Sequence, residues 1–186
     1  MGTPVEFNVP DEHDNLVALL KNLDYNPLLG GNDVKLLSTG TEKFNYLFYD
    51  IERAKEHIHI EYYVLMDDEL GLKLQDALIK KAREGVEVRI IYDGFGSRKA
   101  KKEYFENYRM AGIEVEPFLK LTWNAVTSRI NYRNHRKIIV IDGTIGYVGG
   151  MNIADRYIDG FIWGVWRDTH ARIGSKGVQG WQSVLV

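Results

Sequence analysis

A histidine and a lysine two residues apart stand at the start of an apolar strand in the last third of the chain. His135 and Lys137 precede the run Ile138 to Ile141, and because successive strand side chains alternate between faces, both point to the same side. An imidazole can attack an electrophile or move a proton, and an ammonium group can hold an anionic oxygen. The pair therefore predicts chemistry on a substrate that carries negative charge.

Positive charge and a glycine-rich bend accompany this pair. Between Pro117 and Ile141 the chain has basic residues and no acidic residue, which predicts a local patch that attracts anions; a solvated loop is the alternative explanation. Further on, Gly149-Gly150-Met151-Asn152 offers backbone N–H groups and an amide that could approach a phosphate closely. The basic residues are Lys120, Arg129, Arg133, Arg136 and Lys137.

A second polar face lies on the predicted strand at 57–64. His57, His59 and Glu61 alternate with apolar residues and share one side. Such a set could ligate zinc, but no fourth ligand is evident, and a polar face that lines the site on the neighbouring strand explains it equally. We expect no metal ion, and we expect Glu61 and Arg133 to line the site.

Alternating strands and helices precede the motif and predict an α/β fold. The order strand-helix-strand-helix-strand-helix-strand favours a mixed, mostly parallel sheet with helices on both faces. Asp142-Gly143 then predicts a hairpin turn between two later strands. The predicted strands are 33–38, 57–64, 86–92, 113–118, 136–142, 144–148 and 166–173, and the predicted helices are 11–23, 39–54, 68–84, 101–110 and 177–186.

Composition limits the class of protein. The 186 residues are 45% apolar with only 4 prolines, which excludes a disordered or fibrous chain. There is no cysteine, which excludes disulfides and thiol nucleophiles. No apolar run reaches the roughly 18 to 20 residues that cross a bilayer, so we expect this piece to be soluble. We divide it into an N-terminal helix and lead-in at 1–30 and a single domain at 31–186.

The spacing of the candidate residues matches a known family motif. His135-x-Lys137, four residues, Asp142, six residues and Gly149-Gly150-x-Asn152 reproduce the HxKxxxxD-x6-GG/GSxN motif of the phospholipase D superfamily. Most of the chain also resembles the first catalytic domain of bacterial cardiolipin synthases. The segments that carry this likeness are GNDVKLL, AKEHIHIEYYVL, GLKLQDAL, GVEVRIIYDGFGS, RNHRKIIVIDG, GGMNIADRY and WRDTHARI.

The resemblance implies a phospholipase D-type α/β sandwich and a role for each motif residue. His135 would form a covalent phosphohistidine, while Lys137, Asn152 and Gly150 would hold the phosphate oxygens. No metal or other cofactor is implied, since lysine and amide donors supply the electrostatic stabilisation. Asp142 belongs to the catalytic motif, but its opposite parity in the strand and its place before the turn predict a structural role.

The implied function is phosphatidyl transfer, in which two phosphatidylglycerol molecules give cardiolipin and glycerol. The family pairs two motif copies, but this chain has one, because none of the other four histidines is followed two residues later by lysine. We therefore expect one catalytic half, little active alone, that needs a second motif-bearing domain in cis or a second copy. The full-length protein is expected at the bacterial inner (cytoplasmic) membrane, held by segments missing here.

Two other functions remain open at this stage. A homodimeric phosphodiesterase or nuclease with one motif per chain would also use the basic patch, and only the flanking similarity favours lipid over nucleic acid. A non-catalytic phosphate-binding module is the third hypothesis.

Overall fold

A computed structural model of the chain describes residues 10–24, 30–118, 133–160, 164, 166–174, 178 and 181. The segment 119–132, with Lys120 and Arg129 of the predicted basic patch, lies outside the described residues, as does most of the predicted helix at 177–186. The strands are β1 (Asp33–Leu37), β2 (His57–Tyr62), β3 (Glu87–Tyr92), β4 (Glu114–Pro117), β5 (Lys137–Ile141), β6 (Ile145–Gly149) and β7 (His170–Gly174). The helices are α1 (Asp14–Asp24), which follows a 3-10 turn at Asp11–His13, α2 (Gly40–Arg53), α3 (Glu69–Arg83), α4 (Lys102–Met110) and α5 (Arg156–Asp159).

The seven strands form one sheet in the order β1-β7-β6-β5-β2-β3-β4. Strands β2, β3 and β4 are parallel neighbours, as predicted. The other four pairings are antiparallel, so the expectation of a mostly parallel sheet is wrong. The predicted Asp142-Gly143 turn explains the difference, because both residues have positive φ (50° and 62°) and fold β6 directly back on β5. This hairpin and β7 insert between β1 and β2.

One face of the sheet carries the main hydrophobic core. Alternate residues of the central strands pack there against α2, α3 and α4, as Ile60 of β2, Ile139 of β5 and Leu74 of α3 illustrate. On the other face, Val178 and Trp181 pack against Val140 of β5. Layers on both faces of a mixed sheet agree with the predicted α/β class, although the described helices α2 to α4 all pack on one face.

Helix α2 begins where the sequence predicts. The Thr39 hydroxyl caps α2 by accepting a hydrogen bond from the Glu42 N–H at 3.2 Å. By contrast, α1 leaves Leu16 and Leu19 more than half exposed. No helix in the described ranges is both long and apolar enough to cross a bilayer.

Candidate active site

His135 lies in the segment that leads into β5, and buried acidic residues hold this segment in place. The Asp93 carboxylate, just after β3, accepts a hydrogen bond from the Asn134 backbone N–H at 3.1 Å. The Glu61 carboxylate of β2 accepts one from the Asn134 side-chain amide and lies 3.4 Å from the Arg136 guanidinium. Because Asp93 and Glu61 are almost fully buried, the residues on both sides of His135 are fixed to the ends of rigid strands.

The His135 imidazole is exposed and stacks on the ring of Tyr63. The two ring centroids lie 3.9 Å apart with 18° between the planes. The Lys137 ammonium lies 5.5 Å from the centroid of the same tyrosine and donates a hydrogen bond to the His135 carbonyl at 2.6 Å. An oriented imidazole beside a cation can attack an electrophilic, anionic phosphorus centre.

Behind Lys137 lies a group of charged and polar side chains, Lys43, Asp168 and His170, which we call the Lys137 cluster. Burial lowers the pKa of Lys137 below its usual value, and the Asp168 carboxylate opposes this shift. His170 is completely buried, and burial together with the charges of Lys43 and Lys137 lowers its pKa to about 2. Its imidazole is therefore neutral.

The two glycines of the predicted phosphate bend are required by the packing of β7 and the residues before it. A Cβ on Gly149 would lie 2.6 Å from Nδ1 of His170, and one on Gly150 would lie 2.1 Å from Oδ1 of Asp168. The Gly150 N–H donates to the Thr169 carbonyl at 3.0 Å. That N–H is already bonded, so it is not available for the predicted phosphate contact. The absence of a side chain at Gly150 instead allows residues 168–170 to approach closely.

Asn152 is buried and bonded at both ends of its carboxamide. Its Oδ1 accepts a hydrogen bond from the Val64 N–H at 3.1 Å, and its Nδ2 donates to the Tyr157 hydroxyl at 2.7 Å. Val64 directly follows Tyr63, so these bonds fix Asn152 at the end of β2 where His135 stacks. The amide carries a second Nδ2 hydrogen, and this is the donor that a phosphate oxygen would use.

Asp142 points away from this site and anchors the turn after β5. Its two carboxylate oxygens accept hydrogen bonds of 2.8 to 3.0 Å from the backbone N–H groups of Lys55, Glu56 and His57. Burial raises its pKa, but the three backbone donors outweigh burial and hold the pKa below its usual value. This geometry agrees with the structural role predicted from strand parity.

Replacing Asp142 with alanine is expected to lower the free energy of unfolding by about 2 kcal/mol, because three N–H groups lose a charged acceptor. The folded-state pKa lies below the unfolded one, so this stabilisation exists above pH ~4 and is lost as the pH falls through the folded-state pKa. Urea unfolding between pH 3 and 7 measures both effects. Asp76→Asn, at an exposed position of α3, is the control; a pH slope unchanged in Asp142→Asn would contradict the prediction.

The two predicted lining residues differ in where they lie. Glu61 pairs with Ile138, so its side chain lies on the sheet face opposite to that of Lys137, and it holds the segment before β5 instead of lining the site. The Arg133 guanidinium lies 4.2 Å from the centroid of the Phe95 ring, in the loop after β3. The prediction for Glu61 is wrong because strand side chains alternate between faces, whereas the prediction that Arg133 lines the site stays a prediction.

The histidines other than His135 occupy three separate places. His57 and His59 contact each other, with ring centroids 4.7 Å apart, on the Glu61 face. His59 also lies 3.1 Å from a Glu87 carboxylate oxygen. The described ranges contain no group of three or more histidine and acidic side chains that could hold a metal ion. His13 lies in the N-terminal 3-10 turn and His170 in the Lys137 cluster.

Sequence reasoning missed three residues that build this site: Asp93 behind Asn134, and Asp168 and Lys43 in the Lys137 cluster. The local pattern predicted Tyr63 on a polar strand face, and WRDTHARI contains Asp168 in a segment of family likeness. Lys43 carried no signal, because a lysine within an amphipathic helix is usually exposed.

Comparisons with known proteins agree with the geometry. Residues 47–160 match the family described as "Cardiolipin synthase, PLD-like domain". The chain is 47% identical to a cardiolipin synthase of Oceanobacillus iheyensis and 44% identical to the major cardiolipin synthase ClsA of Bacillus subtilis, each over 97% of its length. It spans 38% of the length of each of these relatives.

Solved structures share the fold at low sequence identity. Nuc of Salmonella typhimurium, a phospholipase D family member, superposes with a TM-score of 0.64 at 15% identity, over 83% of this chain and 90% of that one. Phosphatidylserine synthase of Haemophilus influenzae gives 0.69 at 16% identity, over 92% of this chain and 40% of that one. With the family match covering more than half of the chain, the chain belongs to the cardiolipin synthase family of phospholipase D-like domains.

Proposed function

We propose that the protein carrying this chain transfers a phosphatidyl group through a covalent intermediate on His135. The observation that supports this most directly is the convergence of His135 and Lys137 on the Tyr63 ring. A nucleophile and a cation stand there side by side at the end of a rigid sheet. The relatives of 44 to 47% identity are cardiolipin synthases, which makes phosphatidylglycerol the proposed substrate.

In the first step, a nitrogen of the His135 imidazole attacks phosphorus, and the bond from phosphorus to the oxygen of the headgroup glycerol breaks. Lys137 stabilises the negative charge that spreads over the non-bridging oxygens, and the second Nδ2 hydrogen of Asn152 contributes a further donor. The leaving alkoxide takes a proton from an acid and departs as glycerol. In the second step, the hydroxyl of another phosphatidylglycerol attacks phosphorus, loses its proton to a base, and breaks the bond to His135.

The acid and base of these steps are proposed to come from a second motif-bearing half. His170 is neutral and buried, while His57 and His59 lie on the other sheet face. The exposed face of His135 is where an opposing histidine would meet the leaving group. Either a following domain or a second copy of the chain related by two-fold symmetry would supply it.

The proposed substrate is a membrane lipid, so we propose that the full-length protein lies at the inner membrane of a bacterium. Its reacting phosphate is a monoanion, which suits a site whose charged groups include Lys137 and Lys43 together with Asp168. The nuclease hypothesis shares the phosphodiester chemistry and would use the same residues. Similarity to cardiolipin synthases over nearly the whole chain favours lipid.

Phosphatidylglycerol vesicles test this proposal. The full-length protein is expected to release one glycerol for each cardiolipin formed, measured by enzymatic glycerol assay and by mass spectrometry of the lipids. Supercoiled plasmid in a parallel reaction tests the nuclease hypothesis. Cleavage of plasmid without lipid turnover would overturn the lipid assignment, and turnover of neither substrate would favour the phosphate-binding module.

A further inference from the structure

Lys43 is a lysine of α2 whose side chain is completely buried beside the active site. Its exposed fraction is 0%, and its ammonium donates a hydrogen bond to the Met151 carbonyl at 3.2 Å. The same nitrogen lies 4.0 Å from the centroid of the Phe44 ring and 5.0 Å from that of Tyr62. Tyr62 is the cross-strand partner of Lys137.

Burying an ammonium group costs several kcal/mol unless other groups compensate it. Burial lowers the pKa of Lys43 well below its usual value, and Asp168 opposes this shift. The hydrogen bond to Met151 and the two aromatic rings compensate only in part, since each is weaker than a paired carboxylate. Burial therefore disfavours the charged form of Lys43, and an anion bound nearby would favour it.

The charges around Lys43 do not balance. In the part of the chain that the structure describes, Asp168 is the carboxylate that offsets both Lys43 and Lys137, and His170 between them is neutral. With both lysines protonated, two ammonium groups face one carboxylate, and one positive charge is in excess. The negative charge of a bound phosphodiester would balance it and would favour the protonated form of Lys43.

The position of Lys43 connects this charge to the phosphate bend. Met151, whose carbonyl Lys43 holds, lies between Gly150 and Asn152, and the Asn152 amide is the proposed phosphate donor. The Lys43 nitrogen is closed off from solvent and bonds to the bend from its inner side, so it could reach a bound phosphate only through its electric field or through the bend.

We propose that Lys43 is a positioning residue whose buried charge, acting from behind the Met151-Asn152 bend, strengthens binding of the substrate phosphate at Lys137. The proposal rests on the proposed function, because it takes the phosphate to bind at that site. A unit charge that acts on a bound anion through a partly buried medium, with an effective dielectric of about 20, is expected to change the binding constant about tenfold or more.

The test measures binding of inorganic phosphate to the full-length protein. Shifts of signals in nuclear magnetic resonance spectra during a phosphate titration report the binding. Lys43→Met and Lys43→Gln are expected to weaken binding at least tenfold, because both remove the charge, while Lys43→Arg stays within about threefold of wild type. Glutamine can still donate to the Met151 carbonyl, so it separates the charge from the hydrogen bond. If Lys43→Gln binds phosphate as tightly as Lys43→Arg does, the proposed role of the charge is wrong.

Lys81→Met is the matched control. Lys81 is also buried, at 7% exposure, and donates to the Glu52 carbonyl at 3.2 Å, between α2 and α3. Its loss is expected to leave phosphate binding unchanged. Urea unfolding checks that each variant is folded; if Lys43→Met does not fold, the Gln and Arg variants still make the same comparison.

This readout separates two failures. Phosphate binding needs no turnover, so a wild-type protein that binds phosphate but forms no cardiolipin would contradict the proposed function alone. Active wild-type protein whose Lys43→Met and Lys43→Gln variants bind phosphate within twofold of wild type would overturn the role of Lys43 alone.

Discussion

His135→Ala is expected to lower kcat for phosphatidyl transfer by about 10⁴-fold or more, the scale seen when a covalent nucleophile is removed. Alanine leaves no group in the site that can bond to phosphorus. The residual rate would come from substrate binding beside Lys137. Because His135 is exposed and its backbone neighbours are held by Asp93 and Glu61, the substitution is expected to leave the fold intact.

The measurement is initial-rate cardiolipin formation, with unfolding free energies to confirm folding. His57→Ala is the matched control, because His57 is a partly buried histidine on the other face of the sheet. It is expected to keep kcat within about twofold of wild type. A His135→Ala variant that retained a tenth of the wild-type rate would contradict the covalent mechanism.

Lys137→Met is expected to lower kcat by about 10²- to 10³-fold, the range for loss of one donor that stabilises transition-state charge. Methionine matches the length of the lysine stem and removes its charge. The effect should appear in kcat more than in KM, since the charge on the non-bridging oxygens spreads furthest in the transition state. Equal kcat values for wild type and Lys137→Met would contradict this role.

The lowered pKa of Lys137 also predicts how the rate falls at alkaline pH. Burial lowers its pKa and Asp168 opposes the shift, so Lys137 loses its proton below the pH at which a free lysine does. The rate is expected to fall as the pH rises through that value. Asp168→Asn should move this fall to lower pH, because the opposing carboxylate is gone; a shift to higher pH would contradict the assignment.

Much of the local structure follows from the sequence. The Thr39 cap, the Asp142-Gly143 turn and the strand that begins at Lys137 each depend on neighbours within a few residues, so spacing and residue type predict them. Asp142 is an instructive case. Its parity in the strand separates it from His135 and Lys137, and the three hydrogen bonds to 55–57 give the reason for its place in the motif.

The remaining features depend on contacts between distant segments. The alternating order of strands and helices predicted a mostly parallel sheet, but the hairpin and β7 lie between β1 and β2 and pair antiparallel. Gly150 matches the motif position expected to contact a phosphate. Its close approach to Asp168 could not be predicted locally, because it depends on the pairing of β6 with β7. Lys43 is 108 residues from Met151 in the chain, and no local pattern connects the two.

Trapping the intermediate tests the central claim most directly. The full-length protein is mixed with phosphatidylglycerol, quenched under alkaline conditions that preserve phosphohistidine, digested and analysed by mass spectrometry. A phosphatidyl group on the peptide containing His135, absent from the His135→Ala protein, is the predicted result. Continued cardiolipin formation with the adduct on another residue of this chain, or with no adduct at any time point, would contradict it.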